Sequence, residues 1–132
     1  AIDLKQSNED SALQLLALMQ KDGRLIDFIN EDVNQFSDEQ VAGAARVVHQ
    51  GVKKTLADHV KFEAVSDAIE GNSVNLEADF DRNAYQLTGN ISGDAPYNGT
   101  LIHKGWKVSE LSLPSVVAGT DLKVVAPAEV EL

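Results

Sequence analysis

The chain has 132 residues, of which 43% are hydrophobic, and it contains no cysteine. This composition excludes disulfides, cysteine-based zinc sites, iron–sulfur clusters and thiol nucleophiles, and it favours a globular domain over a disordered segment. A domain of this size typically buries about two-thirds of the surface of its unfolded chain. The net charge of −10 opposes binding to nucleic acid or to an anionic membrane surface. No apolar stretch approaches the ~20 residues that cross a bilayer, so membrane insertion is not expected.

Residues 7–60 carry apolar side chains three or four positions apart, which is the spacing of helices. We expect a first helix that begins at Ser7 as its N-cap. It should end at Gly23, where a glycine can take the left-handed conformation. A short second helix is predicted over residues 24–30.

The longest helix is predicted from Ser37 to about His59. Ser37 and Gln40 have the spacing of a capping box, in which each residue's side chain binds the other's backbone N–H. Gly51 lies on the same stripe as Val48. Because a glycine inside a helix costs about 1 kcal/mol relative to alanine, its place on the apolar stripe indicates that another element packs closely there.

Residues 61–132 change to the alternating pattern of strands, with turn residues between the runs. The predicted extended runs are residues 61–65, 73–78, 84–91, 99–113 and 123–132, with 99–113 holding two strands. The chain is therefore predicted to be an α+β protein, with about three helices packed on a small antiparallel sheet of four to six strands. No linker separates the two parts, so residues 1–132 are predicted to form a single domain, helical over 7–60 and strand-forming over 61–132.

The clearest local strand signal surrounds a turn at Lys104-Gly105. A two-residue hairpin loop at this point would place His103 opposite Trp106, with the imidazole stacked on the indole. The alternation of apolar residues then slips before Leu111. This slip indicates a β-bulge or a strand end near Ser109-Glu110.

The sequence contains no recognisable catalytic constellation. Its three histidines, His49, His59 and His103, have no neighbouring ligand at metal-binding spacing. Residues 79–83 begin like a calcium loop, but the glycine and glutamate that should follow are absent. No glycine-rich loop lies between a strand and a helix to cradle a phosphate. Catalytic, metal and cofactor sites are therefore all predicted to be absent, and a non-enzymatic role is expected.

Two groups of residues are candidate interaction surfaces. Arg46, Lys53 and Lys54 form a basic group on the long helix of an acidic chain. They are explained either by the helix dipole, which favours cations near a C-terminus, or by a docking face for an acidic partner. His103 and Trp106, at the predicted hairpin, form the second candidate surface.

Five segments resemble a bacterial family catalogued only as a domain of unknown function. They are residues 12–32 (ALQLLALMQKDGRLIDFINED), 45–49 (ARVVH), 87–90 (LTGN), 99–106 (GTLIHKGW) and 126–132 (APAEVEL). The family has no established activity, so the resemblance assigns no catalytic residues. It implies a further N-terminal segment, consistent with a chain that starts at Ala1 rather than methionine. It also implies genes that often lie beside those of Hsp70-type chaperones.

The leading expectation is therefore a bacterial, cytoplasmic protein-interaction module with an unidentified protein partner, associated with an Hsp70-type chaperone system. One alternative is an enzyme or small-ligand binder with a pocket between helices and sheet. Another is a structural homodimer that uses a sheet edge or the Trp106 face.

Overall fold

The structure is a computed structural model that describes residues 4–132, with side chains described from residue 8. Three α-helices and a short 3₁₀ helix form its first part. They are α1 (Leu4–Gly23), α2 (Leu25–Ile29), the 3₁₀ helix (Val33–Gln35) and α3 (Asp38–His59). The predicted α+β class and the three predicted helices are confirmed.

Helix α3 begins at the predicted capping box. The backbone N–H of Gln40 donates to the Ser37 hydroxyl at 3.2 Å, and the N–H of Ser37 donates to the Gln40 side-chain carbonyl at 3.0 Å. These two bonds satisfy N–H groups that have no partner inside the helix, which explains why the helix starts here.

The start of helix α1 differs from the prediction, and so does the residue that adopts the left-handed conformation after it. The helix begins at Leu4 rather than after Ser7, whose side chain lies outside the described part of the chain. Gly23 is the last helical residue, and the left-handed conformation falls on the next residue, Arg24, at φ 51°. An exposed ion pair of 3.0 Å joins Arg24 to Asp27 at the junction between α1 and α2.

Helices α1 and α3 pack against each other where Gly23 meets Gly51. A Cβ atom added to Gly51 would lie 2.6 Å from the carbonyl carbon of Asp22, well inside van der Waals contact. The predicted close approach at Gly51 is therefore confirmed. At Gly23, an added Cβ would lie 2.8 Å from the Val52 backbone nitrogen, so the role of this glycine is close packing.

Four strands follow in the described residues. They are β1 (Val60–Ala64), β2 (Ser73–Leu76), β3 (Tyr97–Thr100) and β4 (Trp106–Leu111). They form two separate two-stranded sheets, β1 with β4 and β2 with β3, in place of the single sheet that the sequence predicts. Strands β2 and β3 are antiparallel, with Ser73 opposite Thr100 and Leu76 opposite Tyr97.

The predicted hairpin around Lys104-Gly105 is wrong. A turn is present, with Gly105 at φ 73°, but the strands on its two sides belong to different sheets. Leu101 lies just after β3. Its backbone N–H donates to the carbonyl of Asn72, the residue before β2, at 2.9 Å. The N–H of Val65 instead donates to the Gly105 carbonyl at 3.3 Å, which directs β4 towards β1.

Two of the predicted strands, at residues 84–91 and 123–132, do not form in the described structure. Backbone turns hold the start of the first run, since the N–H groups of Ala84 and Tyr85 both donate to the Asp81 carbonyl at 3.1 Å. Gly89 at φ 79° then interrupts the extended conformation.

The chain divides into two compact units. The helical unit contains the chain up to Lys61 together with residues 110–132, and the strand unit contains residues 62–109. The single domain over residues 1–132 stays a prediction. Among the described residues, no helix has the length and apolar character needed to cross a bilayer.

Candidate functional site

The sheet of β1 and β4, which we call the ribbon, contains one extra residue on its β4 side. The N–H of Val65 donates to Gly105 at one end, and the N–H of Ser112 donates to His59 at the other, at 2.8 Å. On the β4 side, Gly105 and Ser112 are seven positions apart in the sequence. On the β1 side, their partners Val65 and His59 are only six positions apart. The additional residue in one strand is the signature of a β-bulge.

Two cross-strand ion pairs locate this bulge. Lys61 pairs with Glu110 at 3.0 Å, and Glu63 pairs with Lys107 at 3.8 Å. Lys61 and Glu63 are two positions apart and so project from the same face of β1. Their partners, Lys107 and Glu110, are three positions apart. In a regular strand such residues project to opposite faces, so both can lie on one face only if an extra residue lies between them. Of the two predicted alternatives near Ser109-Glu110, a bulge or a strand end, these ion pairs favour the bulge.

The face opposite these charges carries large apolar side chains. Phe62 from β1 and Trp106 and Val108 from β4 project to that side, because each alternates with a charged neighbour. They remain 49%, 58% and 52% exposed, respectively. We call these three residues the aromatic face.

The aromatic face is ordered by contacts within the strand unit. The rings of Phe62 and Trp106 meet edge to face, with centroids 6.4 Å apart and an interplanar angle of 74°. The ammonium group of Lys104 lies 4.5 Å from the centroid of the Trp106 ring, a cation–π contact. This contact takes the place of the predicted His103 stacking. The result is an exposed apolar surface that contains two aromatic side chains and has a cation at its rim.

His103 has a local role at the turn. Its Nδ1 accepts a 3.1 Å hydrogen bond from the backbone N–H of Gly105, two residues along the chain. This bond stabilises the turn that precedes β4 and so helps to position Trp106. The structure therefore places His103 and Trp106 in the same segment, although they are not a cross-strand pair.

The basic residues of α3 lie on the exposed side of that helix. Arg46 and Lys53 are seven residues apart, so they occupy one stripe about 10 Å long, and Lys54 lies about 80° around the axis. That stripe is opposite Thr55, which is fully buried. Lys54 is 3.9 Å from Asp58, one turn further along the helix. An exposed pair of this kind stabilises a helix by only a few tenths of a kcal/mol.

A cavity of about 910 Å³ lies within the strand unit. Its walls include β2, β3 and the segment before β3, with Tyr85, Leu87 and Tyr97 among the lining residues. The residues that line the cavity also include one carboxylate, Asp94, and one imidazole, His103. The predicted alternative placed a pocket between helices and sheet, whereas every lining residue of this cavity comes from residues 65–105. Within the described residues, no three histidine, aspartate or glutamate side chains are grouped so as to hold a metal ion.

The comparisons with known proteins identify a family. Residues 8–131 match the family described as a domain of unknown function, DUF2760. The chain belongs to this family. Comparison of this DUF2760 chain with curated proteins and with solved structures gives no match.

Sequence reasoning selected Trp106 of the DUF2760 chain but missed Phe62, Val108 and Lys104 as its neighbours. Phe62 alternates with Lys61 and Glu63, so its place on an apolar strand face was readable from the sequence. Its partner strand was not readable, because pairing between β1 and β4 depends on contacts more than forty residues apart.

Proposed function

We propose that this DUF2760 chain is a non-enzymatic protein-binding module and that the aromatic face is its binding surface. The observation that carries this proposal is the exposure of Phe62, Trp106 and Val108 together on one face of an ordered ribbon. Clustered exposed apolar side chains mark interaction sites in soluble proteins, and tryptophan is the residue most enriched at binding hot spots.

The proposed setting is the bacterial cytoplasm, with an Hsp70-type chaperone as the first partner to test. The support for this setting is the resemblance of the family segments, which implies neighbouring chaperone genes. The acidic charge of −10 is compatible with a soluble accessory protein and disfavours nucleic acid as the partner.

The basic stripe of α3 is a second proposed surface, suited to an acidic partner. Arg46 and Lys53 are exposed on one side of the helix, where they can meet carboxylates without displacing core contacts. Charges at such a rim mainly change the association rate and its salt dependence, while buried aromatic anchors supply most of the binding free energy. The aromatic face therefore ranks first.

The experiment is an affinity pull-down with purified Hsp70-type chaperone and with lysate of the source cell. Wild-type protein is compared with Trp106→Ala and with a triple charge reversal at Arg46, Lys53 and Lys54. We expect Trp106→Ala to lose a partner that the charge-reversal variant retains, with similar melting temperatures for all three proteins. If Trp106→Ala retains every partner, the aromatic face is not the binding surface.

A second candidate function is binding of a small polar ligand in the strand-unit cavity. Its volume lies in the range of small-molecule sites, and Tyr85 and Tyr97 offer aromatic surface together with hydroxyl groups. A thermal-shift screen of metabolites against wild-type protein and Leu87→Trp, which adds bulk to the cavity wall, tests this function. Stabilisation of the wild type alone would support it, whereas a screen without any stabilising compound would count against it.

A further inference from the structure

One face of the β2–β3 sheet forms the floor of the cavity in the strand unit. Residues opposite each other in an antiparallel pair project to the same face, and neighbours along a strand alternate between faces. Leu76 lies opposite Tyr97, and two positions away Val74 lies opposite Gly99. All four residues line the cavity, whereas Asn75, which projects to the other face, does not. We call Val74, Leu76, Tyr97 and Gly99 the cavity floor.

Gly99 leaves a gap in the cavity floor. A Cβ atom added to this glycine would meet nothing within 4 Å. Tyr97 and Leu101, two positions to either side, carry large side chains, so the gap lies between them. A glycine inside a strand often marks the place where a ligand or another backbone approaches, and an aromatic ring from a neighbouring strand can cover it. The gap therefore suits an aromatic side chain.

The edge of β3 that faces away from β2 is open. The N–H of Leu101 donates to Asn72 on the β2 side, and the direction of bonding alternates along a strand. The backbone groups of Gly99 therefore also point to β2, and those of Asn98 and Thr100 point away from it. No other strand of the described residues pairs with this edge. Asn98 and Thr100 both line the cavity, so the cavity borders unpaired backbone groups that an extended chain can bind.

Asp94 supplies a carboxylate at one end of the cavity. It lines the cavity and forms no ion pair with any of the described residues. The Tyr97 hydroxyl donates to the Gly93 carbonyl at 3.1 Å, so Asp94, the next residue, lies near the Tyr97 end of the cavity floor. Lys104 also lines the cavity, but its ammonium group lies over the Trp106 ring. A cationic group of a ligand therefore has an unpaired carboxylate to meet.

We infer that the cavity binds an extended peptide of another protein, which pairs with the open edge of β3 and places an aromatic side chain over Gly99. A lysine or arginine two positions from the aromatic residue lies on the same side of the peptide, at the end of the cavity floor where Asp94 is found. The backbone bonds supply affinity, and the two side chains supply specificity. This inference goes beyond the proposed function, because no residue of the aromatic face lines the cavity.

The probe is the synthetic peptide acetyl-Thr-Lys-Thr-Phe-Thr-Lys-Thr-amide, titrated into the full chain by calorimetry. Its phenylalanine has a lysine two positions away on each side, so the match holds for either strand direction. We expect saturable binding. A control peptide in which the phenylalanine exchanges places with one neighbouring threonine has the same composition, but its ring projects to the side opposite the lysines. It should bind at least about tenfold more weakly, a difference of about 1.4 kcal/mol.

Protein variants test the two side-chain positions. Gly99→Val fills the gap with a residue that suits a strand, so it should keep the melting temperature and weaken peptide binding at least about tenfold. Ser73→Val places the same side chain on the opposite face of the sheet and should leave binding unchanged. Asp94→Asn should weaken binding, whereas Asp79→Asn, the same change at an acid outside the cavity lining, should not.

Amide hydrogen exchange tests the backbone pairing. The N–H groups of Asn98 and Thr100 should exchange more slowly when the peptide is bound, because they point to the added strand. Equal binding of the two peptides, equal binding by wild type and Gly99→Val, or unchanged exchange at Asn98 and Thr100 would overturn the inference. A metabolite that stabilises the chain when neither peptide binds would also overturn it and would assign the cavity to a small ligand. The aromatic face is tested separately by Trp106→Ala.

Discussion

The hydroxyl of Thr55 on α3 donates a 2.6 Å hydrogen bond to the carboxylate of Asp22 at the end of α1. The same hydroxyl oxygen lies 3.3 Å from the carbonyl oxygen of Leu18. Thr55 is completely buried, whereas most of the residues around it on α3 are at least partly exposed. This polar contact therefore fixes the register of the two helices at a point where apolar packing alone would permit sliding.

The hydrogen bond makes stability depend on pH. Donation from Thr55 is the main cause that lowers the pKa of Asp22 below its ordinary 3.8; burial opposes it, and the positive charges of Lys54, Lys21 and His59 add to it. A carboxyl with a lower pKa in the folded state contributes stability above its unfolded pKa and loses it as the pH falls through the folded pKa.

We therefore expect Asp22→Asn to be less stable than wild type at pH 7 and the difference to shrink below about pH 4. Urea denaturation at several pH values measures this. Thr55→Val, which removes the donor at nearly constant volume, should flatten the pH dependence in the same way. A constant difference between Asp22→Asn and wild type across this pH range would contradict the assignment.

The two glycines inside α3 should respond to alanine in opposite directions. At Gly51 a Cβ would meet the backbone of Asp22, so Gly51→Ala should cost about 1–3 kcal/mol through overpacking. At Gly43 an added Cβ meets nothing within 4 Å. Gly43→Ala should therefore gain about 0.4–1 kcal/mol from helix propensity and reduced freedom of the unfolded chain. Chemical denaturation measures the free energy of unfolding of each variant. Stabilisation by both substitutions would show that the helices do not approach closely at Gly51.

The exposed aromatic face should bind the hydrophobic dye ANS in the native state. Dye emission should fall in Trp106→Ser and in Val108→Ser, because each replaces exposed apolar surface with a hydroxyl. Val47→Ser is the matched control, since Val47 is an exposed valine on α3 in the helical unit. If all three variants bind the dye as the wild type does, the aromatic face is covered in solution.

The sequence predicted the helices well because their signals are local. The capping box at Ser37 lies within four residues, and the close approach at Gly51 follows from one glycine on an apolar stripe. The end of α1 at Gly23 was predicted, but the left-handed residue was not, because Arg24 adopts a conformation that sequence preferences assign to glycine.

The strands were harder because alternation identifies an extended run without naming its partner. The turn at Gly105 is real, yet Leu101 and Trp106 on its two sides enter different sheets. Among the residues of the candidate surfaces, Trp106 could be predicted from the sequence as an exposed aromatic residue of a strand. Its neighbours Phe62 and Lys104 became visible only once the ribbon was assembled.

Site-specific photo-crosslinking in the source cell tests the binding role of the aromatic face most directly. A photoreactive amino acid is placed at Val108 on the ribbon or, as a control, at the exposed Val47 on α3. We expect a discrete crosslinked product, to a partner or to a second copy, from position 108, and its loss when Trp106→Ala is added. Products from position 47 alone, or products from position 108 that persist in Trp106→Ala, would contradict the account.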